Sequence, residues 1–509
     1  MGDAELATPK GQALSRAASF TFYLLLFALL ALALALLPLP LAAGLVGGAS
    51  VLLLAVSDPI WAVGAVALAL PVQDLAQLPG GISFTWAAVA LLAGSLGLHT
   101  LSRPEQLLKP GWLGLALAGL VWALGLATVL TPYSQSEGLK ETARWAAALL
   151  VYLAVVASFD AAPNPAGRRW RALVLVGCLL LGPAGSAVVG LRQFVSADGP
   201  PSFQIADGRF VRAYGTIGQP NSFAGYMNMA WPLAAGLILW AAGGLWARVS
   251  RPLALATLLT ALGLGGLIGG ALVASFSRGG WLGALGGGAI VLISSALLLP
   301  KRPRHLAMRA IGGAAAIGGL ALALGAGGLL PGALSQRLTS ITRNLRLFDV
   351  RTVAVTPENF AVVERMAHMQ AGWQMLSRHP FTGVGPGSYS LAYEASAGLG
   401  EQTIALHPWY ASRGHAHNYY LHIAAEAGII GLAAYGLLLS LLALTAARAL
   451  RAAQGWLWRG LAVGASGVVA AVASHNLFEN LHVLNMGLQL GAVWGLLVSV
   501  ERYGAHNGG

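Results

Sequence analysis

Apolar runs of about 20 residues, the length that crosses a bilayer as a helix, recur along the chain with short polar breaks between them. They predict helices near 19–38, 41–57, 60–71, 83–100, 112–130, 143–159, 171–190, 222–244, 252–275, 280–299, 309–330, 418–446, 458–474 and 481–500. The second and third are short and flank Asp58-Pro59. A re-entrant pair, and with it twelve spans, fits the same pattern. Either count is even and leaves both ends on one side. The expected fold is therefore an all-α integral membrane protein of about 14 (12–14) transmembrane helices. The run 19–38 reads as a membrane helix and signal anchor, because it is long and a second run follows almost at once.

Lysine and arginine in the short loops set the orientation. Lys10, Arg16, Arg103, Lys109, Arg168, Arg169, Arg171, Arg248, Arg251, Lys301, Arg302, Arg304, Arg448, Arg451 and Arg459 alternate correctly for one, cytoplasmic, side. Lys140 and Arg144 stand against them on the other side, outnumbered. The expected organisation is a cytoplasmic N-terminus at 1–18, helices 1–11 over 19–330, a large external loop at 331–417, helices 12–14 over 418–500 and a cytoplasmic C-terminus at 501–509. Within the loop, Thr356-Pro357-Glu358 resembles a cap with proline at the first helical position. Val362, Met366, Met369, Trp373 and Leu376 then follow at helical spacing. This predicts an amphipathic helix that lies on the membrane or roofs a cavity, or else a plain packing helix of a small external domain.

Composition changes this picture little. Hydrophobic residues make up 57% of the chain and charged residues 9%, far below the roughly 25% of a soluble domain. One membrane domain is expected in place of several soluble ones. The net charge of +12 sits mostly in the loops, and no basic stripe is interleaved with aromatics, so no nucleic-acid partner is expected. The lone Cys178 excludes an intrachain disulfide and reads as a small buried apolar residue. Glycines crowd 263–270, 279–288 and 312–319, which reads as close packing of helices through small residues.

Four polar segments fall on the external side. In 208–221, Arg209 and Arg212 precede a helix beginning near Ser222. Arginines at a helix head suit an anion; headgroup anchoring is the bland alternative. Ser277-Arg278-Gly279 is a tight break between two helices, and its arginine suits bidentate phosphate binding or a snorkelling anchor. In His379-Pro380-Phe381-Thr382-Gly383-Val384-Gly385-Pro386-Gly387 the glycine spacing fits neither phosphate-loop fingerprint, so a tight turn is expected. Arg413-Gly414-His415-Ala416-His417-Asn418 opens the long helix at 418. Its histidines suit a general base, a structural polar cluster or a metal. Glu426 follows two turns on, and His475, Asn476 and Glu479 form a lesser cluster. Two arginine sites and a histidine on one side are the equipment to move a glycan from a lipid diphosphate carrier to a hydroxyl. Two arginines neutralise the leaving group, so neither cofactor nor metal is expected. A transporter or flippase of lipid-linked glycans is the rival, but its polar groups belong nearer the midplane.

Arg212…Gly215-Thr216…Pro220-Asn221, Ser277-Arg278-Gly279, His379-Pro380…Gly383-Val384-Gly385 and His417-Asn418…Glu426-Ala427-Gly428 resemble the ordered motifs of the O-antigen ligase and O-antigen polymerase superfamily. The first 200 residues match only as a series of membrane helices. The resemblance implies a GT-C-like membrane glycosyltransferase of the bacterial inner membrane, its active site facing the periplasm. The implied donor is an undecaprenyl-diphosphate-linked glycan, and the transfer is inverting and metal-independent. Arg212 and Arg278 would hold the diphosphate and His417 would activate the acceptor. Arg209, Gln219, Asn221, His415, Asn418 and Glu426 are secondary candidates. The chain is longer than expected for the ligases, with apparent extra spans in its first 100 residues. The acceptor stays open between lipid A–core (ligase), a carrier-linked repeat (polymerase, the adopted expectation) and protein (an oligosaccharyltransferase).

Overall fold

A computed structural model describes residues 39–299, 301, 304–305, 308–309, 312–313, 349–398 and 414–505, without positions 74, 76, 79–80, 106–107, 206–207, 247, 249–250 and 357–358. The expected helix 19–38 and nearly all of 309–330 lie outside these residues, as do 331–348 and 399–413 of the loop and the termini 1–18 and 506–509.

Among the described residues nine helices are long and apolar enough to cross a membrane, counting Pro220–Trp246 as one. The protein is all-α and membrane-spanning. The described α-helices are α1 (Leu39–Ser57), α2 (Pro59–Ala69), α3 (Phe84–Leu101), α4 (Gly111–Leu130), α5 (Gln135–Asp160), α6 (Pro165–Ser196), α7 (Pro220–Asn228), α8 (Trp231–Trp246), α9 (Arg251–Ala274), α10 (Arg278–Leu298), α11 (Phe360–Arg378), α12 (Tyr389–Gly398), α13 (Tyr419–Ala452), α14 (Gly455–His475) and α15 (Gly487–Tyr503). Two small antiparallel ribbons accompany them: Gln77–Leu78 with Ile82–Ser83, and Gln204–Ile205 with Phe210–Val211.

Three expectations need correction. The helix placed at 481–500 starts only at Gly487, because Leu484 and Asn485 take positive φ (52° and 59°) and Gln73 bonds to both. The helix placed at 222–244 breaks at Met229-Ala230 into α7 and α8. The helix placed at 143–159 begins at Gln135, capped by Ser134. This explains the two cations that break the charge rule. Lys140 lies 2.6 Å from Glu137 and Arg144 2.7 Å from Glu141, so each is paired on its own helix.

One end of the bundle gathers the expected cytoplasmic cations. Asp58 caps α2 and meets Arg171 at 2.6 Å and Ser158 at 2.8 Å. Asp160 holds Arg502 at 3.0 Å. The helices between are packed through small residues at some of their glycines. A side chain on Gly283 or Gly287 of α10 would strike α14. In 263–270 the packing expectation holds at Gly265, where a Cβ would press on Ala234 of α8, and fails at Gly263, Gly266 and Gly269, which face open space.

The 379–387 segment is the expected turn, with a purpose. α13 is broken at Gly428 (φ 63°, ψ −162°), and the turn lays its backbone into the break. Val384 N–H donates to Ala425 O (2.9 Å), Gly385 N–H to Glu426 O (2.8 Å) and Ile429 N–H to Pro380 O (2.8 Å). The backbone groups freed by the break are thus satisfied inside the protein, as lipid requires. Only glycine takes the Gly428 conformation at no cost, and a Cβ there would collide with the Phe381 carbonyl. Gly428→Ala is expected to destabilise the fold by about 1–3 kcal/mol, seen as a lower thermal unfolding midpoint in detergent. An unchanged midpoint would show that the break relaxes freely.

Candidate functional site

The other end of the bundle collects the polar segments. Tyr419 N–H donates to Asn476 O (2.8 Å), tying the head of α13 to the end of α14. Asn418 caps α13, accepting from Leu421 N–H and donating to Leu477 O. Asn418 is therefore a structural fastener. Ala213 N–H donates to Ala274 O, which draws the 208–221 segment against the end of α9.

A hydrogen-bonded chain runs across this end. Arg212 donates from Nε to Ser275 O (3.0 Å) and from Nη2 to Asn221 Oδ1 (3.0 Å). Asn221 Nδ2 donates to Glu479 Oε2 (2.9 Å). The other oxygen, Glu479 Oε1, lies 2.5 Å from His415 Nε2 and 3.5 Å from His417 Nδ1. Arg212, Asn221, His415 and His417, far apart in sequence, thus converge on one buried carboxylate. By sequence alone Glu479 belongs only to the lesser cluster with His475 and Asn476. The available signal was scarcity: 18 acidic residues in 509, with this one on the histidine side.

Arg278 is exposed at the first turn of α10 and has no hydrogen bond or ion pair among the described residues. Its charge, like that of Arg365, reaches Arg212, whose guanidinium pKa is lowered first by burial and then by these two cations. Arg209 and Gln219 are exposed, and Gln219 makes no side-chain cap to α7. Neither joins the chain of bonds. Glu426 lies buried at the break in α13, where it accepts from Tyr389 N–H (3.1 Å) and sits 3.5 Å from His422 Nε2.

The expected amphipathic helix exists as α11, and it roofs the site. Its buried face is Val363, Met366, Ala367, His368, Ala371 and Met375, while Trp373, placed by spacing on the inner stripe, is 63% exposed. The stripe is rotated by about one position, and the rotation brings in His368. Its ring stacks 4.9 Å from Tyr393 and stands 5.7 Å from that of His417. Tyr389 Oη donates to His368 O at 2.5 Å. The spacing of the helix places Arg365 only among its polar positions and does not single out His368, because nothing in one helix's pattern shows what it covers.

His417 has φ +49°, a left-handed conformation that few residues with a side chain adopt. Burial pushes His415 down to about 3, against the pull of Glu479, and pushes His368 to about 3. Burial alone would raise the Glu479 carboxyl. Its contact with His417, its neighbour His415 and the Arg365 charge outweigh that and hold it at about 2. At neutral pH His415 is thus a neutral ring donating Nε2–H to a carboxylate. His415, His417 and Glu479 also bring one metal-ligating atom each within 4.8 Å of one another.

These shifts have one sign. All three folded values lie below the ordinary ones, 6.5 for histidine and 4.5 for glutamate. Their stabilising contributions are full above those values and are lost as pH falls through the folded values. Acid should therefore lower the unfolding midpoint from pH 6.5 downward through the histidines, with Glu479 adding only below pH 4.5. His415→Gln should flatten the fall between pH 7 and 5, and a flat wild-type profile there would contradict the assignment.

A multi-pass helical membrane protein with a histidine–carboxylate–arginine centre at one end of its bundle is the class that fold and site define. Residues 263–436 match the family model described as O-antigen ligase, which bears out the resemblance to the O-antigen ligase and O-antigen polymerase superfamily and supports glycosyl transfer as the general activity. No curated protein matches the chain.

Proposed function

We propose that the protein is a GT-C-like glycosyltransferase of the bacterial inner membrane. It moves a glycan from an undecaprenyl-diphosphate carrier to a sugar hydroxyl on the periplasmic side. The observation that carries this reading is the convergence of Arg212, Asn221, His415 and His417 on Glu479, with Arg278, which makes no hydrogen bond or ion pair among the described residues, near enough for its charge to act on Arg212.

The chemistry divides cleanly among these groups. Arg278 and Arg212 hold the diphosphate and neutralise the charge that develops as it leaves. Glu479, ionised, faces His417 Nδ1 and keeps the proton on that nitrogen. The Nε2 lone pair is then free to accept the proton of the acceptor hydroxyl. The 3.5 Å separation is the loose geometry common before substrate binds. The hydroxyl oxygen attacks the anomeric carbon from the face opposite the diphosphate, the glycosyl–phosphate bond breaks, and configuration inverts. The leaving diphosphate supplies the driving force, so no nucleotide is consumed.

The test is transfer by purified protein from an undecaprenyl-diphosphate-linked repeat, in EDTA and without nucleotide, with and without lipid A–core. Growth of the carrier-linked glycan is the expected result and makes the protein a polymerase. Product only on lipid A–core makes it a ligase. Absence of transfer to either, with donor bound, would overturn the reading in favour of a transporter or a protein acceptor.

A further inference from the structure

We propose that His415, His417 and Glu479 form a binding site for a divalent late-transition metal, zinc foremost, and that an ion held there silences glycan transfer. The inference rests on the catalytic reading above, since silencing follows from His417 being the base.

Two imidazoles and a carboxylate are a donor set that zinc takes in three-ligand sites with an open fourth position. Tetrahedral bonds of about 2.0–2.1 Å place ligand atoms roughly 3.3 Å apart. His417 Nδ1 already stands 3.5 Å from Glu479 Oε1. The His415 Nε2–Glu479 Oε1 contact, at 2.5 Å, has to open by about 0.8 Å to meet that spacing. The site is also supported from behind. Asn221 donates to Glu479 Oε2 and so presents Oε1 to the two rings, the kind of outer contact that orients metal ligands. Neither His417 Nδ1 nor His415 Nδ1 makes a well-formed hydrogen bond, so coordination at His417 displaces only its loose 3.5 Å contact with Glu479.

Proton balance gives the consequence. A metal on His417 Nδ1 uses that nitrogen's lone pair, so the ring's single proton moves from Nδ1 to Nε2. No basic nitrogen then faces the acceptor hydroxyl, and Glu479 is spent as a ligand. Binding of the ion at His415 Nε2 leaves that ring's single proton on Nδ1, which has no hydrogen-bond partner, so the ring coordinates as a neutral ligand.

The experiment uses the full-length protein in detergent with zinc chloride as the probe. Zinc binding is measured by calorimetry and by competition with a chromophoric chelator, and transfer is measured in the same preparations. Wild type should bind one zinc per chain, with an unfolding midpoint raised by the metal. His415→Gln and His417→Gln should each weaken binding at least about tenfold and lose the rise. A normal midpoint without zinc would show that they fold. Zinc should stop wild-type transfer and EDTA restore it. Absence of saturable binding by wild type, or binding unaltered in both variants, overturns the site. Binding without inhibition overturns the silencing. Transfer seen only with zinc would overturn both the silencing and the metal-free base. Inactivity under every condition would count against the proposed function while leaving the binding result intact.

Discussion

Replacing His417 by alanine is expected to lower glycan transfer by about 10²–10⁴-fold, the usual contribution of a positioned general base, with donor binding unchanged. The acceptor hydroxyl must lose a proton as it attacks, and alanine takes none. His417 is preferred to its neighbour on geometry. His415 Nε2 is committed to Glu479 at 2.5 Å, whereas His417 stands back at 3.5 Å with a backbone at φ +49°. His415→Ala should therefore cost less. A His417→Ala enzyme with near wild-type turnover, or one surpassed in damage by His415→Ala, would move the base to the other ring. Glu479→Gln should act through His417, shifting the pH dependence of turnover as well as lowering it, because the amide no longer holds one tautomer.

Arg278→Ala is expected to be nearly as costly, about 10²–10³-fold in transfer, with donor affinity falling alongside. Arg278 is exposed and makes no hydrogen bond or ion pair among the described residues, so its loss should leave the unfolding midpoint in place. Arg278→Lys should rescue poorly, because an ammonium cannot reproduce the two-pronged contact with phosphate oxygens. Full donor affinity in Arg278→Ala would remove this residue from the diphosphate site. Arg212→Ala is less informative on its own, since it also breaks bonds to Ser275 O and Asn221.

The membrane class, most helix positions and the small motifs around Arg212, Arg278 and His417 were legible in the sequence, because each is written in contiguous residues. Twenty apolar positions in a row announce a span wherever they pack, and a histidine or arginine at a helix head announces itself by its neighbours. Tertiary structure alone decided the rest. That 379–387 fills a break in α13 depends on backbone bonds between segments some forty residues apart. That α11 turns His368 inward follows from what lies beneath it. Glu479 becomes the hub of the site only when the loop after α14 is folded against Asn221 and the two histidines, more than 250 and about 60 residues away. Local patterns record which residues prefer which element. A buried carboxylate is tolerated only by partners that desolvate together with it, and those partners are chosen in space.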